Sequence, residues 1–373
     1  VLAVPASDLS RPGRDLVRRL SVLITAIFLG GLAVAYVFVT RLSRPLHGLA
    51  EYAKELPSQD LTAPGGEGED ERLRPLTHRG NDEVKRLADS FIFMKAELRK
   101  SVRNLMETTA AKERMESELN VAHDIQMGFL PKIFPPFPER KEFDLHATLR
   151  PAKEVGGDLY DYYFIDEHRL CFTLGDVSDK GVPAALFMGI TKTLIKSIAQ
   201  QTDLSAAGIM SLVNKIVGAD NPSLMFITLV VAVLDTRTGE VNYANGGHNP
   251  PVLINQRGET VYEKELSGPV VGAMGEIDYK DLHLTLAPGD ALLLYTDGVT
   301  EAMNGERQLY SDEHLLAEAA RLGKGEVDEV IDGIMESVAA HVRGAPQSDD
   351  IAILMVRYRG PMTNDQPTQE QSV

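Results

Sequence analysis

The chain has 373 residues, with 38 Lys and Arg against 54 Asp and Glu, for a formal net charge of −16. That balance argues against a nucleic-acid binder, which needs a basic face to meet phosphates, and the 43% hydrophobic and 25% charged fractions exclude global disorder. A single Cys excludes a disulfide framework and any Cys-based zinc cluster.

The charge is unevenly spread. The first 50 residues hold Arg11, Arg14, Arg18, Arg19, Arg41 and Arg44 against Asp8 and Asp15, so the acidic excess lies downstream. Residues 20–40 carry no charged side chain. As a helix at about 1.5 Å per residue they reach roughly 31 Å, close to the thickness of a bilayer core. A signal peptide is the rival reading, with Ala33-Val34-Ala35 as its cleavage site. The apolar run continues through Tyr36-Val37-Phe38-Val39, however, and outlasts an h-region. A buried helix of a soluble domain would show an amphipathic face, and this run has none. The segment therefore reads as one membrane-spanning helix. Arginines on both sides leave its orientation open on charge alone.

After Arg44-Pro45, the residues Leu46, Leu49, Ala53 and Leu56 follow a 3-4-3 spacing, one seam of a coiled coil. A polar, Gly-rich connector follows over residues 57–80. A second helix is predicted from Asn81-Asp82-Glu83, where Asn81 suits a cap and the acids suit the positive end of the helix dipole. Its seam is Val84, Leu87, Phe91, Met94 and Leu98. This series of spanning helix, Arg-Pro, short helix, connector, Asp-Glu-Val and second helix resembles a HAMP signalling module over residues 41–98. The resemblance implies a parallel homodimer that passes a signal across the membrane. It also makes residues 1–19 the stub of an extracytoplasmic sensor region and places everything from residue 41 in the cytoplasm. Residues 99–130 read as a helical stalk. Val102, Leu105, Met115, Leu119, Ala122 and Ile125 lie at near-helical spacing, the seam is weak between Leu105 and Met115, and Pro131 ends the helix.

From Phe143 the pattern changes. Phe143, Leu145, Ala147 and Leu149 alternate with polar residues, as in a half-buried strand. Further strands are predicted over residues 170–174, 226–234, 252–254, 282–286, 291–295 and 351–356, with a hairpin turn at Thr236-Arg237-Thr238-Gly239. Helices are predicted near residues 183–200, 205–217, 312–321 and 326–342. The class is α+β, with sheets covered by helices. Asp158, Asp176, Asp297 and the pair Asp349-Asp350 each adjoin a predicted strand or a Gly-rich turn. Each alone reads as a turn or cap residue. Together they are carboxylates at strand tips, able to converge at one end of a sheet. Converging carboxylates repel and need a cation. Without a Cys or His cluster, all-oxygen ligation selects Mg²⁺ or Mn²⁺, and two such ions can activate water for in-line attack on phosphorus.

Five motifs occur in order: Val155-Gly156-Gly157-Asp158-Leu159-Tyr160-Asp161; Gly175-Asp176-Val177-Ser178-Asp179-Lys180-Gly181 running into Val182-Pro183-Ala184-Ala185; Asn245-Gly246-Gly247-His248-Asn249-Pro250-Pro251; Tyr295-Thr296-Asp297-Gly298-Val299-Thr300-Glu301; and Ser348-Asp349-Asp350-Ile351. They resemble the SpoIIE/RsbU-like branch of the PPM-type, metal-dependent serine/threonine phosphatases, over about residues 120–358. Glu118-Leu119, Ala122 and Ile125-Gln126, ahead of Leu130-Pro131, resemble the helix that precedes this domain in the same family. The resemblance implies an α-β-β-α sandwich over residues 131–358. The tail at 359–373 reads as disordered from its composition, rich in Gln, Thr and Pro, and not from the resemblance. The resemblance implies two Mn²⁺ or Mg²⁺ ions held by Asp158, Asp176, Asp297 and Asp349, with help from the Val177 carbonyl; Asp350 takes the place of Asp349 if the register shifts by one. It further implies a phosphoprotein substrate, of the kind that antagonises an anti-sigma factor in bacterial partner switching, and a single-pass protein of the cytoplasmic membrane.

Other chemistries find less support. His123-Asp124 is similar to the phospho-acceptor box of a histidine kinase, but the chain lacks the Gly-rich ATP-binding motifs that a kinase needs downstream. Cys171 is followed six residues later by Val177 rather than the Arg of a Cys-x5-Arg phosphatase loop, and no Walker A pattern is present. Asp179 stands where many relatives have Gly and reads as a solvated loop residue in preference to a third-metal or substrate contact; His248 reads as a loop-stabilising hydrogen bonder in preference to a phosphate contact, and Lys180 either as solvated or as attracting a phosphoprotein. The alternative to an enzyme is a degenerate phosphatase acting as a signalling scaffold, and the intact carboxylate set weighs against it.

Overall fold

The computed structural model describes residues 6–56, 82–219 and 221–361. The connector at 57–80, the cap at Asn81 and the tail from Met362 lie outside the described residues. The chain divides into two compact units, Val1–Arg114 and Met115–Val373.

In the first unit, helix α1 spans Ala6–Phe38 and exposes Val22, Leu23, Ile27, Phe28, Val34 and Tyr36 along its length. A π-helical turn, Val39–Ser43, follows, with the Arg44 N–H donating to the Val39 carbonyl. Pro45 has no N–H to offer the preceding turn, and a widened turn is one way to absorb that loss. Helix α2, Arg44–Glu55, packs against the start of helix α3, Asp82–Phe129. The contact is formed by Leu49, Tyr52 and Leu56 with Val84, Ala88, Phe91 and Ile92. The buried stripe therefore differs in part from the predicted seam: Leu46, Leu87, Met94 and Leu98 are exposed, while Ala88 is fully buried. Lys95 is buried as well, its ammonium donating to the Tyr52 hydroxyl at 2.7 Å and lying over the ring.

The second unit contains two five-stranded antiparallel sheets. Strands β1 (Phe143–Arg150), β9 (Ala291–Tyr295), β10 (Ile351–Tyr358), β6 (Val252–Ile254) and β7 (Thr260–Tyr262) build one, in the order β1-β10-β9-β6-β7. Strands β2 (Leu159–Phe164), β3 (Arg169–Val177), β4 (Ile227–Asp235), β5 (Glu240–Gly246) and β8 (Leu282–Thr285) build the other, in chain order. Helices α4 (Val182–Gln201) and α5 (Ala206–Ala219) cover the second sheet; α7 (Asp312–Leu322) and α8 (Val327–Val342) cover the first; the short α6 is Asp297–Thr300. The result is the four-layer α-β-β-α sandwich expected from the family resemblance.

Side-chain alternation explains the layers. On β3, Leu170, Phe172 and Leu174 face the other sheet while Cys171 faces the helices. On β10, Ala352, Leu354, Val356 and Tyr358 fill the inter-sheet core, and Ile351, Ile353 and Met355 pack under α7 and α8. Both faces of these strands are buried, so they read as continuous apolar runs.

Candidate metal centre

Strand register brings the acidic residues to one end of each sheet. Leu159 pairs with Gly175, so Asp158 at the head of β2 lies beside Asp176 near the end of β3. Tyr295 pairs with Ile353, so Asp297, just beyond β9, lies near Asp349 and Asp350, just ahead of β10. Two hydrogen bonds tie the sheets together there. The Thr296 hydroxyl donates to Asp158 Oδ2 at 2.8 Å, and the Gly157 N–H donates to Asp350 Oδ2 at 2.8 Å. Thr296 Oγ1 also accepts from the Ala352 N–H at 2.9 Å, which fixes the hydroxyl between strands.

The electrostatics of the cluster are strained. Asp158 is held well above the ordinary carboxylate range by burial and by the charges of Asp176 and Asp350. Burial, with Asp297 next, pushes Asp176 up to about 7. Asp297 is pushed up to about 6 by burial, then by Asp349 and Glu301, against a lowering influence from Lys180. Each shift reports an anion short of positive charge. Among the described residues, no three His, Cys, Asp or Glu side chains are grouped so that they could hold a metal ion as they are placed. The donor chemistry nevertheless fits hard divalent ions: it is all oxygen, desolvated and mutually repelling. The backbone fits too. A Cβ on Gly157 would come within 2.8 Å of the Val177 carbonyl oxygen, so glycine is what allows these two segments to meet beside Asp158 and Asp176.

Asp349 and Asp350 do different things. Asp350 is buried, and both its oxygens are engaged, Oδ1 by the Ala152 N–H at 2.7 Å and Oδ2 by Gly157. Asp349 is 30% exposed; its Oδ1 accepts from the Asp350 N–H at 2.9 Å and pairs with Lys180 Nζ at 2.8 Å. Among the described residues, Asp349 Oδ2 has no hydrogen bond.

Three further residues bear on the site. Gln126 near the end of α3 is buried, and its amide grips the Gly156 backbone twice: Nε2 donates to the Gly156 carbonyl at 2.6 Å, and Oε1 accepts from its N–H at 3.1 Å. His123, one turn earlier, places Nδ1 2.6 Å from the Glu154 carbonyl, a contact that belongs to the same loop. His248 is buried between strands, with Nε2 facing the Tyr295 carbonyl at 3.1 Å and Nδ1 facing the Thr228 hydroxyl at 2.8 Å. That is the loop-stabilising role expected of it. Asp179 is exposed with φ of 67°, as a loop residue at a position suited to Gly. Cys171 is buried, and burial pushes its thiol up to about 12, which leaves no thiolate for chemistry.

The family model for stage II sporulation protein E matches residues 166–359, more than half of the chain. The chain belongs to the SpoIIE family. A HAMP domain model matches residues 37–100. The chain is 29% identical over 314 residues to Protein IcfG of Synechocystis sp., spanning 76% of this chain and 47% of that protein. It is 30% identical over 227 residues to phosphoserine phosphatase RsbU of Bacillus subtilis, spanning 59% of this chain and 66% of RsbU. It thus spans only about half to two-thirds of the length of these relatives. The SiaA-PP2C domain of Pseudomonas aeruginosa superposes with a TM-score of 0.59 at 21% identity, covering 67% of this chain and 99% of that domain, a likeness of fold. The second unit of this SpoIIE-family chain is therefore a PP2C-like sandwich.

Proposed function

We propose that the chain is a membrane-anchored, signal-regulated phosphoprotein phosphatase that hydrolyses phosphoserine or phosphothreonine, with an anti-sigma-factor antagonist as substrate. The observation that carries this reading is the cluster of desolvated carboxylates at the joined ends of both sheets. Asp158, Asp176, Asp297 and Asp349, with the Val177 carbonyl, would hold two Mn²⁺ or Mg²⁺ ions. Asp350, with both oxygens spent on backbone N–H groups, acts instead as the brace that holds residues 152–157 in place. When bound, the ions supply the positive charge that activates water and neutralises the phosphoryl oxygens. Thr296 keeps the Asp158 carboxylate oriented, and Gly157 lets the Val177 carbonyl approach. The substrate class is supported by the relative named phosphoserine phosphatase RsbU. Membrane anchoring is supported by the exposed apolar length of α1 ahead of the HAMP segment. A parallel homodimer is supported by the exposed apolar side chains Leu87, Met94, Leu98 and Leu105 on α3.

The test is a phosphatase assay of the full chain in detergent on phosphorylated anti-sigma-factor antagonists. Hydrolysis is expected with Mn²⁺ or Mg²⁺ and not in EDTA. Turnover that survives EDTA, or a trapped phosphoenzyme, would overturn the reading. Specific substrate binding without any turnover would point to the scaffold instead.

A further inference from the structure

Lys180 is the one basic side chain among the described residues whose ammonium contacts the carboxylates of this cluster directly, and sequence pattern left it as either solvated or substrate-facing. It projects from the loop after β3, between Asp179 at φ of 67° and Gly181 at φ of 89°. Positive φ on both sides of Lys180 marks a tight turn between β3 and α4. The Lys180 ammonium donates to the Ser348 carbonyl at 2.6 Å and pairs with Asp349 Oδ1 at 2.8 Å. It also lowers the proton affinity of Asp297 across the cluster.

We propose that Lys180 is a tethered counter-cation that competes with divalent ions for Asp349, and so sets the metal concentration at which the site fills. This rests on the metal-dependent reading above. A divalent ion held by Asp349 would bring its charge to a carboxylate that the Lys180 ammonium already faces. An ammonium 2.8 Å from the same carboxylate would then face it as a like charge at close range. Lys180 is 30% exposed on a flexible four-carbon stem, so it can swing into water when displaced. The cost of displacement is the Lys180–Asp349 pair, a partly solvated ion pair worth on the order of a few-fold in affinity. The loop thus carries a built-in competitor one residue from the glycine that starts α4.

The experiment titrates Mn²⁺ against the full chain in detergent and reads free Mn²⁺ by electron paramagnetic resonance. Lys180→Gln removes the charge but keeps a donor for the Ser348 carbonyl, Lys180→Met removes both, and Lys180→Arg keeps the charge. Mn²⁺ is expected to bind about fivefold more tightly to Lys180→Gln, to tighten similarly with Lys180→Met, and to be nearly unchanged in Lys180→Arg. If Lys180 merely anchored the loop, the neutral variants would bind Mn²⁺ more weakly. Weaker or unaltered binding in both of them, with wild type binding normally, overturns this proposal alone. A wild-type chain that binds no Mn²⁺ overturns it together with the phosphatase reading.

Discussion

Asp349 and Asp350 are neighbours in sequence with opposite surroundings, and substitution should separate them. Asp350→Asn replaces one acceptor by an amide donor facing a backbone N–H, leaving either Ala152 or Gly157 unpaired. A loss of about 1–3 kcal/mol of stability in EDTA is expected. Asp349→Asn gives up only a partly exposed pair with Lys180, so its stability in EDTA should change by less than about 1 kcal/mol. Its loss should appear instead as the disappearance of Mn²⁺-induced thermal stabilisation, read by calorimetry with and without Mn²⁺. The reverse pattern would assign the ligand role to Asp350. His248 offers a second residue-scale prediction. Burial pushes it down to about 4, so between pH 6.5 and 4 the unfolded chain takes up a proton that the native imidazole refuses. Stability contributed by His248 is intact above pH 6.5, falls as pH drops through that window, and is down by about 3 kcal/mol near pH 4. Asp176 and Asp297 act oppositely, since their raised native values favour the protonated fold as pH falls through about 7 and 6. The His248 effect is therefore read as a difference: denaturation of His248→Gln should show a flatter acid limb than wild type. Equal slopes would mean the imidazole is charged in the fold.

At the scale of elements, α3 ends on the loop that leads to Asp158. Gln126 clamps Gly156, the next residue donates to Asp350, and Asp158 follows. A change in helix phase therefore has a covalently short route to the carboxylates. One residue inserted between Thr108 and Glu113 turns the downstream helix by about 100°; seven bring it back to within about 20°. Phosphatase output measured in membranes should lock on or off with the first insertion and largely regain regulation with the second. In a Gln126→Ala background the one-residue insertion should have no further effect. Full sensitivity to it there would show that the signal bypasses the clamp. Apolar spacing alone selected Ile125 for the inner face of this helix, yet Ile125 is 58% exposed and Gln126 is buried. Periodicity cannot see a polar side chain that goes inward because backbone groups satisfy both ends of its amide; only the motif resemblance pointed at Ile125-Gln126. Strand β2 was hidden for a related reason. Leu159-Tyr160-Asp161-Tyr162-Tyr163-Phe164 lacks alternation because both faces are covered, and Asp161 is kept inside by Lys192 at 2.7 Å. By contrast β3, β9 and β10, with hydrophobic runs and an Asp at or beside one end, were legible as strands.

At the scale of the whole molecule, the basic N-terminal segment and acidic remainder fit a chain moored at one end. Leu29 lies near the middle of the uncharged run, and Leu29→Arg adds about 2.5–3.5 kcal/mol to insertion. Carbonate washing of membranes should release a larger share of this variant than of wild type, while Mn²⁺-dependent phosphatase activity of the released chain persists. Equal retention would argue against α1 as the anchor.

Strand β10, which Asp349 and Asp350 immediately precede, lies between β1 and β9, although it is the last strand in sequence. The Asp350 carboxylate accepts from the Ala152 and Gly157 N–H groups, 198 and 193 residues earlier. During synthesis the emerging chain can form α1, its HAMP segment and the second sheet, yet the first sheet has a gap until residues 351–358 are made. On the proposed reading, a nascent chain is moored before it is armed: while the ribosome still holds β10 the carboxylate set is incomplete, and hydrolysis starts only once that last strand has closed the first sheet.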